Sequence, residues 1–101
     1  MKKYTVYETE EFQEWFKDEP PKSRFQIQDR ILKIEDEGYF GNKKKLEEDL
    51  FELKFNDGRR IYYVLIPESN VLFLLGGNKN GQSKDIRAAK NIFAKARKSK
   101  N

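Results

Sequence analysis

The chain has 101 residues, 37% hydrophobic, 38% charged and 14% aromatic, enough for one small core and too few for two, so residues 1–101 are read as a single domain. It contains neither cysteine nor histidine, which excludes a disulfide framework, thiol chemistry, zinc hydrolases and Ser-His-Asp catalysis; no metal or other cofactor is expected. The net charge of +4 is unevenly spread: acidic residues outnumber basic ones over residues 1–57, whereas residues 58–101 set ten Lys and Arg against Glu68 and Asp85 alone, the footprint of a polyanion binder.

Tyr4 to Tyr7 alternates β-formers and reads as a short first strand. Thr9 makes a good N-cap for a helix over residues 10–18, with Glu10 and Glu11 in the first turn where negative charge is favoured. Phe12, Trp15 and Phe16 recur at i, i+3 and i+4 and mark its core-facing stripe. Pro20-Pro21 stops this helix and suits the start of the next, from about Lys22 to Glu37. Phe25, Ile27, Ile31, Leu32 and Ile34 are read as its apolar half, and Gly38 as the residue that ends it. Residues 39–49 read as a loop, with Lys43-Lys44-Lys45 a solvated cluster beside Glu47-Glu48-Asp49.

Leu50 to Phe55 and Arg59 to Ile66 form a hairpin around Asn56-Asp57-Gly58. Glycine at the third loop position fits a type I turn with a bulge. That turn sets Phe55 opposite Arg59, Lys54 opposite Arg60, Leu53 opposite Ile61 and Glu52 opposite Tyr62. Pro67-Glu68-Ser69-Asn70 then turns into a third strand of this meander, Val71 to Leu75. Gly76 to Gln82 reads as a mobile polar loop and Ser83 as the cap of a last helix, Lys84 to Lys98, with Ile86, Ala89, Ile92, Phe93 and Ala96 inward. Ser99 to Asn101 reads as a fraying tail. The order β-α-α-β-β-β-α predicts an α+β fold in two layers, a helical hairpin on a small antiparallel sheet with a C-terminal helix. The longest apolar run, Val71 to Leu75, is far short of the ~20 residues that cross a bilayer, so a soluble cytoplasmic protein without membrane contact is expected.

Period-two alternation sorts the hairpin into two faces. Phe51, Leu53 and Phe55, with Ile61, Tyr63 and Leu65, are expected under the helices. Glu52, Lys54, Arg60 and Tyr62 point the other way, and Lys54 opposite Arg60 brings like charges to about 5 Å, mildly destabilising in a sheet. One reading is an ordinary solvated face on which Glu52 neutralises the pair. The other is a face that holds an anion, with Lys79, Gln82, Lys84 and Arg87 at its rim and a helix N-terminus adding backbone donors for a phosphate.

The stretch from Phe51-Glu52-Leu53-Lys54 through Gly58-Arg59-Arg60-Ile61-Tyr62-Tyr63 to Leu74-Leu75-Gly76-Gly77-Asn78-Lys79, with Gln82, Asp85-Ile86 and Ala89, resembles the RelE/ParE superfamily of toxins. Within it, the HigB-like branch of addiction-module killer proteins is the most similar. The resemblance spans nearly the whole chain, because the opening strand and Phe12, Trp15 and Phe16 fit as well. It implies a RelE-like toxin encoded beside an antitoxin, usually a helix-turn-helix protein, that inhibits translation by cleaving mRNA, commonly on the ribosome.

In ribonuclease members of the superfamily, basic residues of the concave sheet face contact RNA, among them an arginine in the strand after the hairpin turn. By motif that arginine is Arg60, the basic residue closing Glu-Leu-Lys is Lys54, and the one after the Gly-Gly pair is Lys79. These three are the catalytic candidates; Tyr62, Gln82, Lys84 and Arg87 are the RNA-binding candidates. The chain departs from the pattern in having no His and no aromatic after Phe93, so the general acid and base stay unassigned. Two alternatives stay open: a ParE-like DNA gyrase inhibitor, and a non-catalytic RNA- or antitoxin-binding relic.

Overall fold

Local chemistry sets the N-terminal elements of the computed structural model, which describes residues 2–99; the last two residues of the expected fraying tail lie outside the described residues. Strand β1 (Thr5–Glu8) enters α1 (Glu10–Lys17) through Thr9, whose hydroxyl accepts the Phe12 N–H at 3.0 Å and donates to the Leu74 carbonyl at 2.7 Å. Helix α2 (Pro21–Glu37) starts on Pro21 and ends at Gly38, which has φ 68° and donates its N–H to the Ile34 carbonyl. Glycine suits that left-handed position because it has no Cβ to clash. Glu35 of α2 holds β1 in place: its carboxylate accepts the Val6 N–H at 3.0 Å and its carbonyl the Lys3 N–H at 2.6 Å.

The buried side of α2 is narrower than the expected apolar half. Ser23, Ile27 and Ile34 are buried and Ile31 packs beside them, whereas Phe25 and Leu32 are exposed. Each of those two lies two residues before a buried isoleucine, and at 3.6 residues per turn that is about 200° round the helix. They therefore face away from the core.

Three more strands complete the sheet with β1: β3 (Leu50–Lys54), β4 (Arg59–Ile66) and β5 (Asn70–Asn78), while a fifth, β2 (Lys43–Lys45), replaces part of the expected loop. The order is β1-β5-β4-β3-β2, with β1 parallel to β5 and the other pairs antiparallel. The hairpin register is the one the turn chemistry demands, Lys54 against Arg60 and Glu52 against Tyr62, with Gly58 at φ 92°. Strand β2 has three exposed lysines and so no apolar alternation to reveal it; lysines on an edge strand also discourage pairing with other chains.

Strand β5 runs to Asn78 instead of stopping at Leu75, so Gly76 and Gly77 are sheet residues and not part of a mobile loop. Their missing side chains explain both why the segment reads as a loop and why it packs as a strand. A Cβ on Gly76 would collide with the Trp15 ring, and one on Gly77 with the Asp85 carboxylate. A register shift between Tyr62 and Tyr63 leaves Leu74 as the extra residue of β5, which sets Gly76 on the α1 side and Gly77 on the other. After a 3₁₀ turn (Lys79–Gly81) capped by Asn78, α3 runs Gln82–Ser99; Ser83 lies inside this helix and does not cap it.

The α+β class and the element order agree with the sequence, but the sheet is covered on both faces and the fold has three layers. Phe12, Ile27, Ile34, Leu53, Ile61, Tyr63, Val71 and Phe73 form the core under α1 and α2. Leu50, Tyr62, Val64, Leu74 and Ala89 form a second core under α3, with Ile86, Ile92 and Phe93 packed against it. Leu65 belongs to neither and is exposed, because β3 begins opposite Val64 and leaves it without a neighbour on that side. Among the described residues no helix is long and apolar enough to cross a membrane.

Candidate functional site

The polar face of the hairpin lies at the end of the sheet where α3 begins. Strand alternation puts Glu52 and Lys54 of β3 and Arg60 and Tyr62 of β4 on this face, and the opening turn of α3 brings Gln82 and Asp85 over it. Arg60 sits between Lys54 on one neighbouring strand and Gly77 on the other. Because Gly77 has no side chain, Asp85 of α3 can settle against the backbone there.

Glu52 is the centre of the arrangement. It has no solvent exposure, its Oε2 accepts the Gln82 amide at 2.7 Å, and Arg60 Nε lies 3.7 Å from the same oxygen. Glu52 Oε1, Arg60 Nε and the Tyr62 hydroxyl have no hydrogen-bond partner among the described residues. Buried polar atoms without partners are rare, since each costs its desolvation energy, and three in one cluster mark a place where folding alone did not choose the residues. Glu52 also bears on the like-charge pair: its carboxylate faces Arg60 and offsets the positive charge there.

The seven residues singled out by sequence occupy different settings. Arg60, Tyr62 and Gln82 come together around Glu52, and Lys54 is paired in register with Arg60. The Arg60 side chain is 14% exposed, with its buried Nε turned to Glu52. Tyr62 is fully buried beneath α3, so it is not a surface on which a base can stack; this corrects its assignment as an RNA contact. Burial, with the charge of Glu52 adding to it, pushes the Tyr62 phenol up to about 12. Gln82 is likewise committed to Glu52 and positions that carboxylate.

Lys79 lies at the hairpin tip. Its N–H donates to the Gly58 carbonyl at 2.9 Å and its methylene stem passes over Gly58. Lys84 and Arg87 are exposed on the first turns of α3. Two participants stood in the motif of the resemblance without being given a site role: Glu52, read as a neutralising charge, and Asp85. Burial raises the Asp85 carboxyl above its ordinary value, with Lys84 partly opposing the shift. Both roles become visible only when α3 is placed on the sheet.

Comparison with known proteins agrees with this architecture. Residues 14–100 match the family model described as Phage derived protein Gp49-like (DUF891). An uncharacterised protein of Haemophilus influenzae is 35% identical over 72 residues, covering 68% of this chain and 71% of that one. The free E. coli toxin RelE, in a mutant form, superposes with a TM-score of 0.69 at 20% identity over 88% of this chain and 97% of its own. The toxin-antitoxin complex RelBE2 of Mycobacterium tuberculosis contains a chain similar at TM-score 0.63 and 18% identity, covering 75% of this chain and 98% of that one. The intact E. coli RelBE complex contains one at 0.62 and 19%, covering 74% and 95%. The expected RelE-like fold is therefore the observed fold.

Proposed function

This chain belongs to the phage-derived Gp49-like family of the RelE/ParE superfamily, and we propose that it is the toxin of a toxin-antitoxin module, an endoribonuclease that cuts mRNA on the ribosome. The reading extends to the HigB-like kind of module, a helix-turn-helix antitoxin as partner, and action in the cytoplasm where translation occurs. Relatives of the fold are described as toxins in complex with antitoxins, which supports the pairing. The observation that carries the enzymatic part is the half-buried Arg60, anchored on one edge by buried Glu52 among unpartnered polar atoms.

The chemistry asked of such a site is modest. The RNA 2′-oxygen attacks the adjacent phosphorus in line, the bond to the 5′-oxygen breaks, and a 2′,3′-cyclic phosphate and a 5′-hydroxyl result. One proton leaves the 2′-hydroxyl and one reaches the departing oxygen. Arg60 supplies a planar, permanently charged fork that matches two phosphate oxygens, and Glu52 fixes the direction in which the fork points. Lys54 is the adjacent cation and Lys79 the one at the hairpin tip, suited to the developing charge or the flanking backbone. With histidine absent from the chain, Asp85 and Lys54 are the proton-exchanging groups beside Arg60.

The test is 5′-end mapping of mRNA in a cell-free bacterial translation reaction, comparing wild type with Arg60→Lys. The lysine keeps a cation beside Glu52 but cannot reproduce the fork. New mRNA ends with the wild type that fall sharply with Arg60→Lys support the reading. Uncut mRNA with folded wild type overturns it, and DNA damage with filamentation on induction would then point to gyrase.

A further inference from the structure

A groove of about 840 Å³ runs between α2 and the tip of the β3–β4 hairpin, on the face of the sheet opposite to that of Arg60. Two aromatic rings open into it from positions the core does not use. Phe25 is 70% exposed on the outward face of α2, and Tyr39 is 55% exposed just beyond its C-terminal end. Fourteen residues separate them, roughly 20 Å along a helix. Lys22, Arg30, Lys33 and Lys54 line the space between, and with Arg59 they set five cations against Asp29 and Asp57. Lys33 is paired with Asp29 at 3.2 Å and Arg59 with both Asp57 and Glu19, which leaves Lys22, Arg30 and Lys54 without an ion pair among the described residues. Arg30 is fixed in place by the Phe40 carbonyl at 3.0 Å and by the Phe55 ring 4.7 Å beneath its guanidinium.

Rings spaced among cations are what a single-stranded nucleic acid requires, because bases stack on aromatic faces while the basic side chains follow the phosphates. An apolar peptide would want the rings side by side, and here charges separate them. We propose that this groove holds a stretch of single-stranded RNA that reaches Arg60, on the other face of the sheet, round the hairpin tip, with bases stacked on Phe25 and Tyr39. The inference rests on the ribonuclease reading, and the hairpin tip is the link, since Lys54 borders the groove there and is paired in register with Arg60.

The experiment is fluorescence anisotropy of a short, labelled, 2′-O-methylated RNA, which cannot be cut by its own 2′-oxygen, titrated with the full chain at several salt concentrations. Phe25→Ala/Tyr39→Ala is expected to weaken binding by about tenfold or more for each stacked base, with the salt slope and thermal unfolding unchanged, because both rings are exposed and uncharged. Lys22→Gln/Lys33→Gln is expected to flatten the slope by about 0.7 for each phosphate that is no longer neutralised. Equal binding by wild type and the ring variant overturns the groove and leaves the ribonuclease reading standing. No binding by the wild type also overturns the groove; mRNA cleavage in the translation reaction then decides the ribonuclease reading separately.

Discussion

Arg60 Nε lies 3.7 Å from Oε2 of Glu52, a carboxylate without solvent exposure whose other partner is the Gln82 amide. The pair is therefore structural as well as chemical. Arg60→Ala should destabilise the chain by about 3–5 kcal/mol, because it leaves a buried charge uncompensated. Glu52→Gln/Arg60→Ala should recover most of that loss in urea unfolding while staying inactive on mRNA. If the double variant is no more stable than Arg60→Ala, Glu52 is not held by Arg60.

Tyr62 presents the opposite case, a buried hydroxyl that folding does not use. Tyr62→Phe should hold or raise stability by about 1 kcal/mol, since it removes a buried polar group with no partner. The raised phenol also carries a sign. Because the folded group ionises near 12 rather than the ordinary 10.0, the wild type loses stability as pH climbs through that interval. The phenylalanine variant should resist alkaline unfolding better, as read by circular dichroism against pH. A variant that unfolds at the same alkaline pH as wild type would dissociate Tyr62 from that transition.

Asp85 is predicted to weaken the fold near neutrality. Burial raises its carboxyl above 3.8, so the native chain holds this proton more tightly than the unfolded chain does. Its stabilising share is complete below 3.8 and is lost as pH rises through the folded value. Asp85→Asn, which cannot ionise, should melt higher than wild type near neutrality, and the two curves should converge in acid. A gap in Tm that does not change with pH would remove the electrostatic explanation.

The turn between β4 and β5 stores strain of a different kind. Glu68 and Ser69 have φ of 71° and 64°, consecutive left-handed residues with side chains that disfavour that region. Glu68→Asn/Ser69→Gly supplies residues that prefer a turn of this hand and should stabilise the chain by about 1 kcal/mol. The turn lies at the opposite end of β4 from Arg60, so mRNA cleavage should be unaffected. A lower Tm in this variant would show that the Glu68 or Ser69 side chain contributes more than the strain costs.

Features decided by neighbours in sequence were legible in the sequence. Thr9 as a cap, Gly38 as a helix end and the pairing of Lys54 with Arg60 each follow from two to five adjacent residues whose chemistry permits few conformations. The resemblance carried by the hairpin and the Gly-Gly-Asn-Lys segment led to the correct fold for the same reason, being made of contiguous motifs. Phe25 and Leu32 show where such reading runs out: they are apolar and near the right spacing, yet they lie on the outward face, and only packing tells one side of α2 from the other.

By itself, then, the chain's order of residues determined the strands of the hairpin, their register, the caps of the first two helices and the basic character of the second half. Tertiary structure alone decided that α3 closes over the polar face. That placement buries Glu52 and Tyr62, sets Asp85 against Gly77 and leaves Arg60 partly open, while α1 on the other face sets Trp15 against Gly76. The physical reason is range. Turn and cap preferences act within a few residues, whereas the burial of a carboxylate or the need for a missing Cβ depends on an element that arrives from thirty residues away.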